Sequence, residues 1–273
     1  MVTTKAQKWM ISIALAALAA LAAGCGGGPD SAPAETPAAA APAPAASAPS
    51  EPAAAATPGP RGSATISGSV RYEGEVPPAR PVKMDADPGC AKKHESPPTS
   101  EMLVLGDDNV MGNVFVRVKS GLPGGSYPAP ADAAVIDQEG CRYVPHVLGV
   151  MKGQTVKILN SDGLLHNVHA LPKVNKTFNM AMPGTRTEAE VTFDQEEDMF
   201  KIKCDVHPWM GAYVQVMAHP FFDVTADDGR FEITGLPAGS YEIEVWHERL
   251  GTQTERAELA DGESAEILFT MAR

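Results

Sequence analysis

The chain has 273 residues, 44% hydrophobic and 21% charged, enough for one or two globular domains once any targeting segment is set aside. Its 34 acidic residues against 22 basic ones give a formal charge of −12. An acidic excess of that size argues against nucleic acid as a partner.

At the N-terminus Lys5 and Lys8 precede an apolar run from Trp9 to Ala23 that is short for a membrane span. It ends in Leu21-Ala22-Ala23-Gly24-Cys25, which resembles a bacterial lipoprotein signal, with Ala22 where Leu is commonest. Residues 1–24 are therefore expected to be a signal peptide and Cys25 the lipid attachment point, an ordinary cleaved signal being the alternative. Residues 25–62 are Ala, Pro, Ser and Gly with almost no large apolar side chain, so they read as a disordered tether. Extended at ~3.1 Å per residue, it would reach on the order of 100 Å.

Beyond residue 62 everything reads as strands. Apolar alternation runs through Ala64 to Tyr72, Met102 to Leu105 and Val114 to Val118, and no stretch sustains a 3.6-residue period. Short strands punctuated by Gly, Pro and Asn160-Ser161-Asp162-Gly163 predict an all-β chain built as a sandwich. Asp85 to Ser100, Gly121 to Ala131 and Leu171 to Arg186 read as looser segments.

The chemistry concentrates in Lys203-Cys204-Asp205-Val206-His207-Pro208-Trp209-Met210 and in Leu165-His166-Asn167-Val168-His169. Phe200, Ile202 and Cys204 fall on one face of a strand with Lys201 and Lys203 on the other, so Cys204 points inward. A second alternation, Ala212, Val214 and Val216, restarts just after Met210, placing Cys204, His207 and Met210 on one tight connection. Val156 and Ile158 lead another strand toward the upstream histidines. A thiolate, two imidazoles and a thioether suit an ion of intermediate softness held in two oxidation states, and that ion is copper. Zinc is the plainer alternative, although it seldom takes a thioether. Of the upstream pair, His166 and His169 lie three apart on a strand and so point to opposite faces.

These two segments resemble cupredoxins, the amicyanin-like ones in particular, whose short loop has the Cys-x2-His-x2-Met spacing. The resemblance implies a Greek-key sandwich, metal ligands His166, Cys204, His207 and Met210, and one type 1 copper ion. It also implies that Asn167 ties the two ligand loops together. Met210 would be a weak axial donor, and His207, Pro208 and Trp209 would form the surface through which electrons leave. With four protein ligands no coordination position stays open for substrate, so an enzyme is not expected. Met180 and Met182 read as alternating core residues in preference to further soft ligands.

Setting Cys25 and Cys204 aside leaves Cys90 and Cys141, which in an exported protein are expected to pair. A second metal site using His94 and His146 is the competing reading. Near the C-terminus, Asp227-Asp228-Gly229-Arg230-Phe231-Glu232-Ile233 and Gly235-Leu236-Pro237-Ala238-Gly239-Ser240-Tyr241 resemble carboxypeptidase regulatory-like domains, which are small β-sandwiches. The expected organisation is a β extension over 63–100, with membership of the C-terminal domain as the alternative, a cupredoxin domain over 101–218 and a small sandwich over 219–273. The acidic C-terminal part would either steer a basic redox partner or simply keep the chain soluble. Function is expected to be single-electron transfer by a lipid-anchored blue copper protein on the periplasmic side of a bacterial membrane. A c-type cytochrome or a quinoprotein dehydrogenase would be its partner. A module for copper storage, delivery or sensing is the alternative.

Overall fold

The computed structural model describes residues 57–273. The signal expected over 1–24, Cys25 and most of the tether lie outside the described residues. Among the described residues the only helical segments are Pro88–Ala91 and a 3-10 turn at Asp107–Asn109. Everything else with regular structure is β, as the short alternating runs predict.

The first sandwich carries the candidate ligands. Its larger sheet has the strand order Phe178–Met182, His166–Ala170, Glu197–Lys203, Gly211–Met217, Val147–Met151. The facing sheet runs Glu188–Thr192, Thr155–Asn160, Ala134–Glu139, Arg142–Val144. Val156 and Ile158 from one sheet and Val168, Phe200, Ile202, Ala212, Val214 and Val216 from the other meet in a common core. That is the expected period-two alternation, with polar side chains turned outward. Each fully buried Val, Ile or Phe of this set contributes roughly 1.5–3 kcal/mol.

The second sandwich is assembled from distant parts of the chain. Ala64–Glu73 lies between Arg230–Leu236, to which it pairs antiparallel, and Ser264–Ala272, to which it pairs parallel. The opposing sheet runs Phe222–Val224, Phe115–Ser120, Gly239–His247, Gly251–Leu259. Ala64–Glu73 therefore goes with the C-terminal strands, as the alternative organisation had it, while the expected span 101–218 gives up Phe115–Ser120 to the second sandwich. Phe115–Ser120 pairs with Phe222–Val224 and Gly239–His247 because its Val116 and Val118 pack with Ile243 and Val245, not with the ligand-bearing sandwich.

The opposite face of that same strand joins the two sandwiches. Phe115 packs with Val147 and Met217 of the first sandwich, and Arg117 bridges Asp198 at 2.9 Å and Glu244 at 2.7 Å. Gly149 permits the close approach, since a Cβ there would meet Phe222 at 2.4 Å. Of the stretches read as loose, Leu171 to Arg186 contains the edge strand Phe178–Met182, which pairs with His166–Ala170. Its weak apolar pattern reflects an edge position with few buried side chains, although Met182 is fully buried in the core.

A chain beginning at Glu101 lacks Ala64–Glu73, the central strand between Arg230–Leu236 and Ser264–Ala272. It should lose protection of residues 222–273 in limited proteolysis and unfold without the intact chain's cooperativity. An unchanged thermal midpoint would contradict this assembly.

Candidate metal centre

Strand register sets the site. Ile202 and Lys203 pair with Ala170 and His169, and Lys203 pairs on its other side with Gly211. The end of His166–Ala170 that bears His166 therefore lies beside the loop joining Glu197–Lys203 to Gly211–Met217. That loop closes on itself: the Cys204 amide donates to the Met210 carbonyl at 3.2 Å and the Met210 amide to the His207 carbonyl at 2.9 Å. Such a turn leaves Cys204, His207 and Met210 all buried.

The two imidazoles face each other. Nδ1 of His166 lies 2.9 Å from Nδ1 of His207, and the Cys204 Sγ lies 3.9 Å from the latter nitrogen. Each ring is held from behind by a carboxylate on its other nitrogen: His166 Nε2 by Asp162 at 2.9 Å, and His207 Nε2 by Asp87 at 3.0 Å. A carboxylate that accepts an Nε2–H fixes the tautomer and leaves the Nδ1 lone pair free for a metal ion. Two such lone pairs converging at 2.9 Å repel unless a proton or a metal ion lies between them. With the thiol beside them, the chemistry of the donor set fits a cation of borderline softness.

Electrostatics agree with that geometry. Burial alone would raise the Cys204 thiol, yet His166 and the hydrogen bonds at the loop hold it below its usual range. The His207 amide, 3.4 Å from Sγ, is one of those donors. Burial likewise opposes charge on His166, but Asp162 and Cys204 together raise it to about 9. Asp162 itself, despite burial, is lowered to about 2 by His166, the Cys141 and Gly140 amides and Lys93. The site is therefore a buried cluster in which negative groups outnumber permanent positive ones, a setting that favours a cation.

Asn167 fastens the two loops to each other. Its Oδ1 accepts from the Asp205 amide at 2.7 Å and lies 3.3 Å from Cys204 Sγ, and its Nδ2 donates to Asn179 at 2.6 Å. His169 stands apart, half-buried and 2.9 Å from Asp205 on the outer side. The structure thus groups His166 with Cys204 and His207 and leaves His169 out. Met210 lies in the same buried loop.

The expected exit surface is corrected, and the expected pairing of Cys90 with Cys141 is found. His207 does not face the surface: it is 2% exposed, because the turn Asp87–Cys90 lies over its Nε2, with Cys90 Sγ at 3.6 Å. Pro208 is exposed, while Trp209 is half-buried and donates from its indole to the Cys141 carbonyl at 3.2 Å. Cys90 and Cys141 form a disulfide. The reading of these cysteines as a metal site with His94 and His146 does not hold, since His94 bonds the Gly140 carbonyl and His146 bonds Glu248. Sequence reasoning missed Asp162 and Asp87. Asp162 was legible only as a turn residue, and Asp87 lies 120 residues from His207 with no pattern linking them.

No protein-family model matches the chain, and no curated protein matches it in sequence. Among solved structures the chain resembles cupredoxins over about a third of its length. A reduced mutant of amicyanin is 26% identical, with 32% of this chain and 85% of that one covered at a TM-score of 0.29. A purple cupredoxin from Nitrosopumilus maritimus is 27% identical, with 31% and 99% covered at 0.27. A copper-containing nitrite reductase from Thermus scotoductus is 20% identical, with 37% and 26% covered at 0.28. At such scores the likeness by itself assigns no function to this chain.

Replacing Asn167 with Ala removes the acceptor shared by the Asp205 amide and the Cys204 loop, leaving a part-buried amide without its partner at a cost of about 1 kcal/mol. The variant should melt at a lower temperature, with faster amide exchange at Asp205 and Val206. Exchange at wild-type rates would show that the loop is held by other contacts.

Proposed function

We propose that this chain is a copper protein whose single site is formed by His166 Nδ1, Cys204 Sγ, His207 Nδ1 and the Met210 thioether, and that it carries single electrons. The observation that carries the reading is the pair of converging Nδ1 atoms beside a buried thiol, each ring anchored behind by its own carboxylate. Copper bound there supplies a one-electron couple between Cu(I) and Cu(II).

The residues around that ion do the rest. Asp162 and Asp87 keep both imidazoles oriented, so neither ring needs to turn when the charge at the site changes. Asn167 and the short loop hold Cys204 in place, and burial excludes water from the sulfur. A rigid, dry donor set of this kind keeps the cost of reorganisation low, which is what repeated single-electron exchange requires. With four protein donors the reading includes no substrate position at the ion. Cys25 would anchor the chain by lipid on the periplasmic side of a bacterial membrane, with residues 25–62 as tether. A c-type cytochrome or a quinoprotein dehydrogenase would be the partner. These last elements rest on the sequence resemblances alone.

The covering of His207 favours a second reading, in which the chain retains copper and hands it on. A ligand edge closed by a disulfide-tied turn slows both electron exit and metal loss. The two readings differ in a measurable way. In the carrier, Cys204→Ser abolishes the intense thiolate-to-copper absorption, Met210→Leu keeps it and raises the reduction potential, and wild type cycles rapidly with a small soluble donor and acceptor. A coloured protein that fails to cycle, yet passes copper to a competing chelator after the disulfide is reduced, would establish the second reading and overturn the first.

A further inference from the structure

We infer that the cleft beside the metal loop is a binding site for a small organic anion carrying two or more carboxylate or phosphoryl groups. This inference does not depend on copper. The cleft, of about 560 Å³, runs between the segments at 80–83 and 99–102 and the outer side of the loop, where Pro208 and Trp209 form part of its wall. Its volume lies within the range of sites for small organic molecules, and Pro208 and Trp209 offer an apolar face to the body of such a ligand.

The charge of the lining is opposite to that of the chain. Arg80, Lys83, Arg142, Lys201 and Lys203 all reach the cleft, in a protein with a formal charge of −12. Two of its three acidic members, Asp205 and Glu248, are already occupied. Asp205 binds Lys203 at 2.7 Å and His169 at 2.9 Å, and Glu248 holds His146 at 2.7 Å and Tyr213 at 3.0 Å. Glu101 lies 3.7 Å from Arg142 and 3.9 Å from His146 Nδ1, too far for a hydrogen bond to either. Arg80, Lys83 and Lys201 form no ion pair among the described residues.

A second observation points to a ligand. His146 is 8% exposed, and its Nδ1 has no hydrogen-bond partner; the Arg142 Nε in the same wall has none either. Buried nitrogens of this kind are ordinarily satisfied, so the Arg142 Nε–H, unpaired beside three cations that form no ion pair, calls for an acceptor from outside. An acid group placed there takes hydrogen bonds from the Arg142 guanidinium. Charge-assisted bonds to several fixed donors are the strong kind, and the arginine fork suits carboxylate and phosphate oxygens alike.

The test is calorimetric titration of the metal-free full chain at low ionic strength with tricarballylate and, separately, pyrophosphate, with indole fluorescence followed in parallel. Saturable binding of one equivalent is expected, weakening as salt is added. The Arg80→Gln/Lys201→Gln variant should bind about tenfold more weakly or worse, equivalent to about 1.4 kcal/mol, while its unfolding midpoint without probe stays that of wild type. Lys119→Gln, which alters a lysine on the second sandwich, should bind as wild type does. Preference for one probe identifies carboxylate or phosphoryl as the group recognised. No saturable binding of either probe, or equal loss in the Lys119→Gln control, would overturn the inference.

Discussion

Two imidazole rings held 2.9 Å apart, nitrogen to nitrogen, each pinned from behind by an aspartate, is the arrangement on which the rest of this structure depends. Neutral rings in those tautomers present lone pairs to each other, and burial denies them water. A stable fold can keep such a contact only by placing positive charge within it. The thiol of Cys204 beside the rings adds a soft donor to the two nitrogens. Much of the surrounding structure can be understood as support: Asn167 joining two loops, the short turn closing Cys204 to Met210, and the carboxylates fixed by amides and by Lys93.

The covering of the site by Asp87–Cys90 changes how such a centre works. His207 turns its Nδ1 toward His166 and its Nε2 edge the other way. Here that edge meets a carboxylate and a disulfide sulfur, and the disulfide closes a separation of 51 residues in sequence. On the chain-entropy model such a bond contributes about 4 kcal/mol, and it also keeps the covering turn in place. The same N-terminal region that supplies a central strand to the second sandwich thus supplies the lid of the first. One sandwich is not independent of the other: Phe115–Ser120 turns its valines into one core and Phe115 toward the other.

Much of this was legible in the sequence. The alternation in Phe200, Ile202 and Cys204 and its restart at Ala212 fix a strand, a tight turn and a strand, and that alone brings Cys204, His207 and Met210 together. His166 could be told from His169 only by resemblance, since a three-residue step places the two on opposite faces without saying which face is inside. Cysteine counting identified the Cys90–Cys141 pair. What could not be read was set by long-range contact. Asp87 binds His207 across the fold, and the valines of Phe115–Ser120 look the same whichever core they enter. The edge strand Phe178–Met182 buries too few side chains to show a pattern.

The central claim is that the ligand set holds copper through one thiolate and two imidazoles. X-ray absorption at the copper edge of the loaded full chain tests it most directly, because the scattering identifies the neighbours of the ion without reference to function. The account predicts a single short copper–sulfur contact together with two imidazole nitrogens, the sulfur shell vanishing in Cys204→Ser. A copper ion surrounded by nitrogen and oxygen alone, or a spectrum unchanged in that variant, would contradict it.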